Sequence, residues 1–210
     1  MTKIVLASTS PARLRLLRDA GIDPIVASPG VDEEHVSDTA MQAGLISNTA
    51  DLVLLLAKAK AEAVMNHPDA QGALIIGCDS ALDLDGEALG KPHEPEVAIE
   101  RWKSMRGRSG RLYTGHWLID NRISTPMPPA TGLASNTTVH FADLSDSEII
   151  AYVGTGEPLK VAGAFTIDGL GGAFITAIEG DAHTVVGLSL TTLRDLCLKL
   201  DVEYPSLWRR

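Results

Sequence analysis

Four short stretches of this chain place carboxylates, hydroxyls and cations where they could bind and hydrolyse a phosphate compound. Asp79 follows the apolar run Ala73 to Gly77. A carboxylate at the end of a buried strand in an α/β sheet lies where ligands usually bind. Withdrawn from bulk water it needs a cationic partner, so its chemistry would be that of a general base for water or of a metal ligand. Ser8, Ser10 and Arg13 lie in Leu6-Ala7-Ser8-Thr9-Ser10-Pro11-Ala12-Arg13, which reads as a strand-to-helix turn. A helix start offers unpaired N–H groups and partial positive charge to an anion, and Arg13 could grip phosphate oxygens with two parallel bonds. Lys91, in a segment stiffened by Pro92, could reach a phosphate. Glu33, in the trio Asp32-Glu33-Glu34, could share a magnesium ion with Asp79, because Mg²⁺ favours oxygen ligands and keeps several waters.

Each stretch also has an ordinary reading: a Ser-capped helix with a surface arginine, an Asp capping a turn, a solvated hairpin-end lysine and a solvated acidic loop. Other patterns point away from chemistry. Asp83-Leu84-Asp85 is better explained by the Asp85-Gly86 turn than by a metal-binding pair. Gly169-Leu170-Gly171-Gly172 lacks the strand–GxGxxG–helix context of a dinucleotide site. Cys78 and Cys197 sit in no CxxC or Cys/His pattern, which argues for two buried free thiols rather than zinc or a disulfide framework. The six histidines have no metal-ligand spacing, and Ser8 and Ser10 lack a nucleophile-elbow context.

The elements that must position these residues alternate between strand and helix. Lys3 to Ala7 reads as a buried strand, and Ser10-Pro11 starts a helix that Gly21 ends. Asp23 to Ala27 reads as a second short strand and Pro29 to Asp38 as an acidic, turn-rich stretch. Leu52, Leu55, Leu56, Ala59 and Ala63 recur at helical spacing and predict a helix over 47–66. Its lysines, Lys58 and Lys60, are about 200° apart around that helix, so at most one faces a given pocket. Ala73 to Gly77 reads as a strand ending at Cys78-Asp79-Ser80, with a hairpin turn inside 81–89. Pro95 to Met105 reads as a helix and Arg111 to Ile119 as a strand. Residues 121–132, with three prolines and Gly132, read as a loop that could move. Thr137 to Leu144 reads as a strand, and Ser145 with Glu148 as a capping box at a helix start. Gly163 to Ile178 is Gly-rich and strand-like, and a helix covers Leu190 to Leu200. The expected class is α/β.

A length of 210 residues suits one large domain or two associated lobes. Only 4% of residues are aromatic, so Leu, Val, Ile and Ala must build the core. A net charge of −9 gives no general attraction for nucleic acid or membrane surfaces, so an anionic ligand would need a local cationic cluster, a helix start or a metal ion. The N-terminal apolar run is too short for a signal-peptide core, and no apolar stretch approaches the ~20 residues that span a bilayer. The cytoplasm is the expected location.

Order and spacing add what no single motif supplies. The blocks LASTSPARLRLL (6–17), VDEE (31–34), LAKAKAEAV (56–64), IIGCDSAL (75–82), GEALGKP (86–92), MRGRSG (105–110), GEPLKVAGAFTIDGLGGAFI (156–175) and VVGLSL (185–190) occur in sequence. In this the chain resembles the Maf family of nucleotide pyrophosphatases from residue 3 to about 200, and most closely its actinobacterial branch. The resemblance implies a single domain over 1–210, in a Maf/ITPase-like fold with a twisted mixed sheet flanked by helices and two lobes about a central cleft. It implies water attack on the α-phosphorus of a nucleoside triphosphate, giving the monophosphate and pyrophosphate with help from a divalent cation, Mg²⁺ or Mn²⁺. Ser8 and Arg13 fall on its phosphate-binding positions. Glu33, Lys60, Asp79 and Lys91 fall on its catalytic cluster, with Asp79 as proton acceptor and Glu33 and Asp79 as metal ligands. Lys58 is then a surface charge.

Three positions depart from the commoner family pattern. Val161 replaces a lysine, Asp168 a glutamine and Gly110 a histidine. Asp168 falls at a substrate-reading position, and an ionised Asp there would repel phosphate, so no base preference carries over. The resemblance also implies a homodimer. It leaves a second reading, a nucleotide-binding regulator of cell division with weak catalysis, while the residues alone would also suit a phosphatase or nucleotidyltransferase of another α/β family.

Overall fold

The computed structural model describes residues 2–123 and 125–209. Among these residues the strands are β1 (Ile4–Ala7), β2 (Ile25–Val26), β3 (Leu74–Leu84), β4 (Glu87–Leu89), β5 (Ser109–Asp120), β6 (Ala130–Phe141) and β7 (Ile175–Gly180). The helices are α1 (Pro11–Asp19), α2 (Glu33–Gln42), α3 (Thr49–Ala63), α4 (Pro95–Met105), α5 (Asp146–Gly154), α6 (Ala182–Val186) and α7 (Leu190–Lys199). The sheet order is β2-β1-β3-β5-β6-β7, with β4 paired to β3. β1 pairs in parallel with β2 and β3, whereas β3–β4 and β6–β7 are antiparallel, so the sheet is mixed.

The chain forms two compact units. The first holds residues 1–79, 114–135 and 187–210, and the second holds 80–113 and 136–186. In the first unit Val5, Ala7, Ala61, Ala73, Ile75 and Ile119 build a core of small and branched side chains. Two glycines let α3 lie directly on its strands. A Cβ at Gly77 on β3 would overlap the Ala57 carbonyl oxygen and stand 2.9 Å from Ala61 N, and one at Gly115 on β5 would overlap the Val53 carbonyl. In the second unit the core gathers most of the few aromatic residues. Trp102 meets Phe141, Tyr152 and Phe174 edge to face at ring-centre distances of 5.7, 5.5 and 6.0 Å, and its Nε1 donates to the Ala164 carbonyl at 2.8 Å.

Signals carried by adjacent residues match the structure. Ser10 caps α1, and the capping box of Ser145 and Glu148 starts α5. The Asp85-Gly86 hairpin is present, with both residues at positive φ and Asp83 accepting the Gly86 N–H at 2.9 Å. Four expectations need correction. The acidic stretch after Pro29 is the helix α2, because Asp32 caps it by accepting the His35 N–H at 3.0 Å and its acidic first turn suits a helix start. β3 does not stop at Asp79 but runs on to Leu84, drawn out by its hairpin with β4. β6 begins at Ala130, inside the expected loop, where the Asp120 N–H already bonds the Pro129 carbonyl; Ser124 of that loop lies outside the described residues. The Gly-rich stretch gives a strand only over Ile175–Gly180, preceded by 3₁₀ turns at Ala162–Ala164 and Leu170–Phe174.

The last of these turns is organised by one carboxylate. Glu157 accepts the Leu170 and Gly171 N–H groups and the Tyr152 hydroxyl, each at 2.9 Å. Burial works against ionisation of Glu157, but these donors prevail and hold its carboxyl below the usual carboxylate range. A depressed folded-state pKa adds stability above the unfolded value near ~4.3, and that stability is lost as pH falls through the folded value. Glu157→Gln is therefore expected to lower stability by about 1–2 kcal/mol at pH 7 in urea unfolding. The gap to the wild type should narrow below about pH 4. A gap independent of pH down to 3 would contradict an ionised clamp.

Candidate active site

The register of β1 on β3 brings two of the sequence candidates side by side. Ala7, the last residue of β1, lies opposite Gly77, so Ser8 just past the end of β1 and Cys78 on β3 follow that pair, and Asp79 comes next on β3. Asp79 is thus in mid-strand on β3, at the carboxyl edge of β1. Its side chain is buried and its Oδ1 accepts from Lys60 Nζ at 2.5 Å. Lys60 lies on the buried face of α3 with Val53, Leu56, Ala57 and Ala61. The same ammonium reaches Glu33 Oε1 at 2.8 Å. Glu33 opens α2 with its side chain half exposed, whereas the side chains of Lys60 and Asp79 are only about a tenth exposed. One buried cation therefore gathers two carboxylates, one withdrawn from solvent and one at its edge.

Lys58 has a different neighbourhood. Its Nζ stands 5.3 Å from the centre of the Trp117 ring and 3.8 Å from Glu62. The helical offset between the two lysines separates their surroundings as the spacing requires.

Arg13 is buried and held by oxygens of its own unit. Its Nε donates to the Gly187 carbonyl at 2.7 Å, and its Nη1 to the Cys78 carbonyl at 2.8 Å and Ser8 Oγ at 3.2 Å. The guanidinium is a fixed charge tying α1 to the residue beside Asp79. Ser8 Oγ also accepts the Ser10 N–H at 3.2 Å. With both of these bonds accepted, its own hydroxyl proton can be donated to an anion. Burial pushes the adjacent Cys78 thiol up to about 11, only partly offset by the charges of Arg13 and Lys60, which makes it a poor nucleophile near neutral pH.

Lys91 and Asp168 belong to the second unit, and both are exposed there. The segment that carries Lys91 is pinned through Gly90, whose carbonyl accepts from Arg101 Nη1 at 2.6 Å and from the Gly163 N–H at 3.1 Å. Asp168 accepts from the Thr166 hydroxyl. Gly110 packs against Leu82, where an added Cβ would stand 2.8 Å from Leu82 Cδ1. Sequence reasoning missed Gly77, Gly115 and His116, since none carries a recognisable spacing and each acts through a contact distant in the chain.

Among the described residues no group of three or more His, Cys, Asp or Glu side chains could hold a metal ion. Two carboxylates nevertheless fit Mg²⁺, which is commonly bound by one or two carboxylates together with substrate phosphates and water. The assembled groups can thus orient water beside an anion: a carboxylate acceptor, a buried ammonium, a fixed guanidinium and a hydroxyl donor at a helix start.

Comparison with known proteins gives the family. The family model described as "Maf-like protein" matches residues 3–200, a span that includes residues of both units. A protein of Leifsonia xyli subsp. xyli named nucleoside triphosphate pyrophosphatase is 53% identical over 99% of this chain and 97% of its own length. Proteins of the same name from Salinispora tropica and Mycobacterium marinum are 52% and 47% identical, each over 99% of this chain and over 88% and 97% of their own lengths.

Proposed function

Because the chain belongs to the family of Maf-like proteins, we propose that it hydrolyses a nucleoside triphosphate to the monophosphate and pyrophosphate. It is a hydrolase of acid anhydrides, as its relatives' shared name indicates. The observation that carries the reading is the Glu33–Lys60–Asp79 arrangement beside the Ser8–Arg13 helix start.

In this reading Asp79 takes a proton from the attacking water. A bond forms between the water oxygen and the α-phosphorus. The bond from that phosphorus to the α,β-bridging oxygen breaks, and pyrophosphate leaves. Lys60 fixes the direction of the Asp79 carboxylate and keeps Glu33 near it. Ser8, Arg13 and the first turn of α1 bind phosphate oxygens of the substrate. Glu33 and Asp79 would hold a Mg²⁺ or Mn²⁺ ion, which would offset phosphate charge. For Lys91 as a catalytic cation and Asp168 as a substrate-reading residue, the family resemblance is the support. The single-domain reading over 1–210 draws on a family match that runs through both units.

The resemblance also supports a homodimer, which light scattering on the purified protein would read directly. Among the described residues no helix is long and apolar enough to cross a membrane. The acidic composition and two free thiols fit the cytoplasm.

Phosphorus NMR with a panel of ordinary and modified triphosphates tests the reading. Pyrophosphate and a monophosphate should appear together with Mg²⁺ or Mn²⁺, and turnover should cease on chelation. Orthophosphate as the first product would instead indicate a phosphatase. Tight nucleotide binding with no product from any member of the panel would favour the regulatory role.

A further inference from the structure

We infer that His116 is a positioning residue for the phosphate end of this site, acting on Arg13 through the segment Gly187–Ser189. The inference rests on the pyrophosphatase reading for its kinetic readout but not for its structural one.

His116 lies on β5 and is fully buried. Its Nε2 faces the Ser189 backbone N–H at 2.7 Å. A backbone N–H can only donate, so Nε2 is the acceptor and carries no proton in this arrangement. The neutral ring then bears its proton on Nδ1, which faces the Leu133 carbonyl at 3.3 Å. Both ring nitrogens thus have assigned directions, and β5 and the residue ahead of α7 are tied together.

Ser189 is the N-cap of α7, with Oγ accepting the Thr192 N–H at 3.0 Å. Its own N–H lies just before the helix and has no helical acceptor, so His116 satisfies a donor that would otherwise be buried unpaired. Gly187 and Leu188 precede it and are also buried, with Gly187 at φ +112°. The Gly187 carbonyl is the acceptor for Arg13 Nε at 2.7 Å. One three-residue segment therefore takes a bond from Arg13 at one end and gives a bond to His116 at the other. From Arg13 the connection continues at once to Ser8 Oγ and to the Cys78 carbonyl next to Asp79. Loss of the acceptor at position 116 leaves the Ser189 N–H unpaired, and relief comes from moving the segment whose carbonyl seats Arg13.

A side chain that merely fills core volume would tolerate leucine. A positioning side chain would tolerate glutamine, whose Oε1 can accept in place of Nε2. With the wild-type enzyme releasing pyrophosphate, His116→Leu is expected to raise KM roughly tenfold while kcat changes less than about threefold, because the Lys60–Asp79 pair is not part of the chain of bonds. His116→Gln should return KM to within about threefold of wild type. Equal KM values for Leu, Gln and wild type would overturn the inference. So would a loss confined to kcat, or equal damage in both variants.

Nitrogen NMR gives a readout independent of turnover. The wild-type ring should show a neutral Nδ1–H tautomer. The Arg13 Nε–H resonance should shift in His116→Leu and recover in His116→Gln. An Nε2–H tautomer, or an Arg13 signal unchanged by leucine, would refute the proposed linkage even in a protein that hydrolyses triphosphates normally. A wild type with no turnover but with the expected NMR behaviour would refute the pyrophosphatase reading alone.

Discussion

Asp79→Asn is expected to remove pyrophosphate release and leave the chain folded. Asn matches Asp in shape, and its amide oxygen can still accept from Lys60, so the contact at 2.5 Å has a neutral replacement. What disappears is the ability to take a proton from water. Loss of a positioned general base lowers turnover by about 10²–10⁴-fold. Removing one partner of a buried ion pair usually destabilises by 3–5 kcal/mol or so, leaving an uncompensated charge. Here Lys60 keeps Glu33 at 2.8 Å, so a smaller change of about 1–2 kcal/mol is expected. Steady-state pyrophosphate release, nucleotide titration calorimetry and urea unfolding together check the expectation. Turnover within tenfold of wild type would reject Asp79 as the base. Loss of the folded state would instead give the carboxylate a structural role that the retained Glu33 pair does not account for.

Gly77→Ala should lower stability strongly, although it adds a single methyl. That methyl would overlap the Ala57 carbonyl oxygen and crowd the Ala61 backbone nitrogen. Neither neighbour is a flexible side-chain tip: both are backbone atoms of α3, so the helix must move. Overpacking of this kind costs about 2–3 kcal/mol, which for a chain of this length lowers Tm by about 5–10 °C. The same displacement carries Lys60 away from Asp79, since Ala57 and Ala61 flank Lys60 on the buried face of α3. A misplacement of about 1 Å can cost roughly 10²-fold in rate, so kcat should fall together with Tm. Gly154→Ala serves as a control, because an added Cβ there meets nothing within 4 Å and the backbone is not at positive φ. Thermal melts and initial rates on the two variants decide the matter. A Gly77→Ala protein with unchanged Tm would mean that α3 does not lie on β3 as closely as described.

The pair Gly77 and Lys60 also shows how legibility divides. Apolar spacing was enough to predict α3, and the 3.6-residue period required Lys58 and Lys60 to point different ways. Family resemblance selected Lys60. Neither route revealed why Lys60 reaches Asp79, because the reason is a missing Cβ on another strand. Asp79 was legible as a carboxylate after an apolar run, but its expected place at a strand end was wrong. The strand continues, and what stops near Asp79 is its neighbour β1. The α2 start was visible in Asp32 and its acidic first turn, yet the scarcity of apolar residues there disguised the helix. His116 offered no signal, since its partners Leu133 and Ser189 lie 17 and 73 residues away.

By itself, then, the sequence determined those features whose cause lies within about four residues. They include the Ser10 and Ser145 caps, the Asp85-Gly86 turn, the apolar strands and the helical period that separates two lysines. Backbone dihedral preferences and local hydrogen bonds act over that range, so neighbouring residue types are sufficient to specify them. The ordered blocks added the family and, with it, the class of reaction. Only the tertiary structure decided that a single ammonium gathers Glu33 and Asp79, that Arg13 donates to the Gly187 and Cys78 carbonyls and to Ser8, and that His116 and two glycines stand behind the site. Those outcomes depend on how closely α3, β3, β5 and the segment before α7 approach one another. That closeness is set by excluded volume and by the pairing of buried donors between parts of the chain that are far apart in sequence.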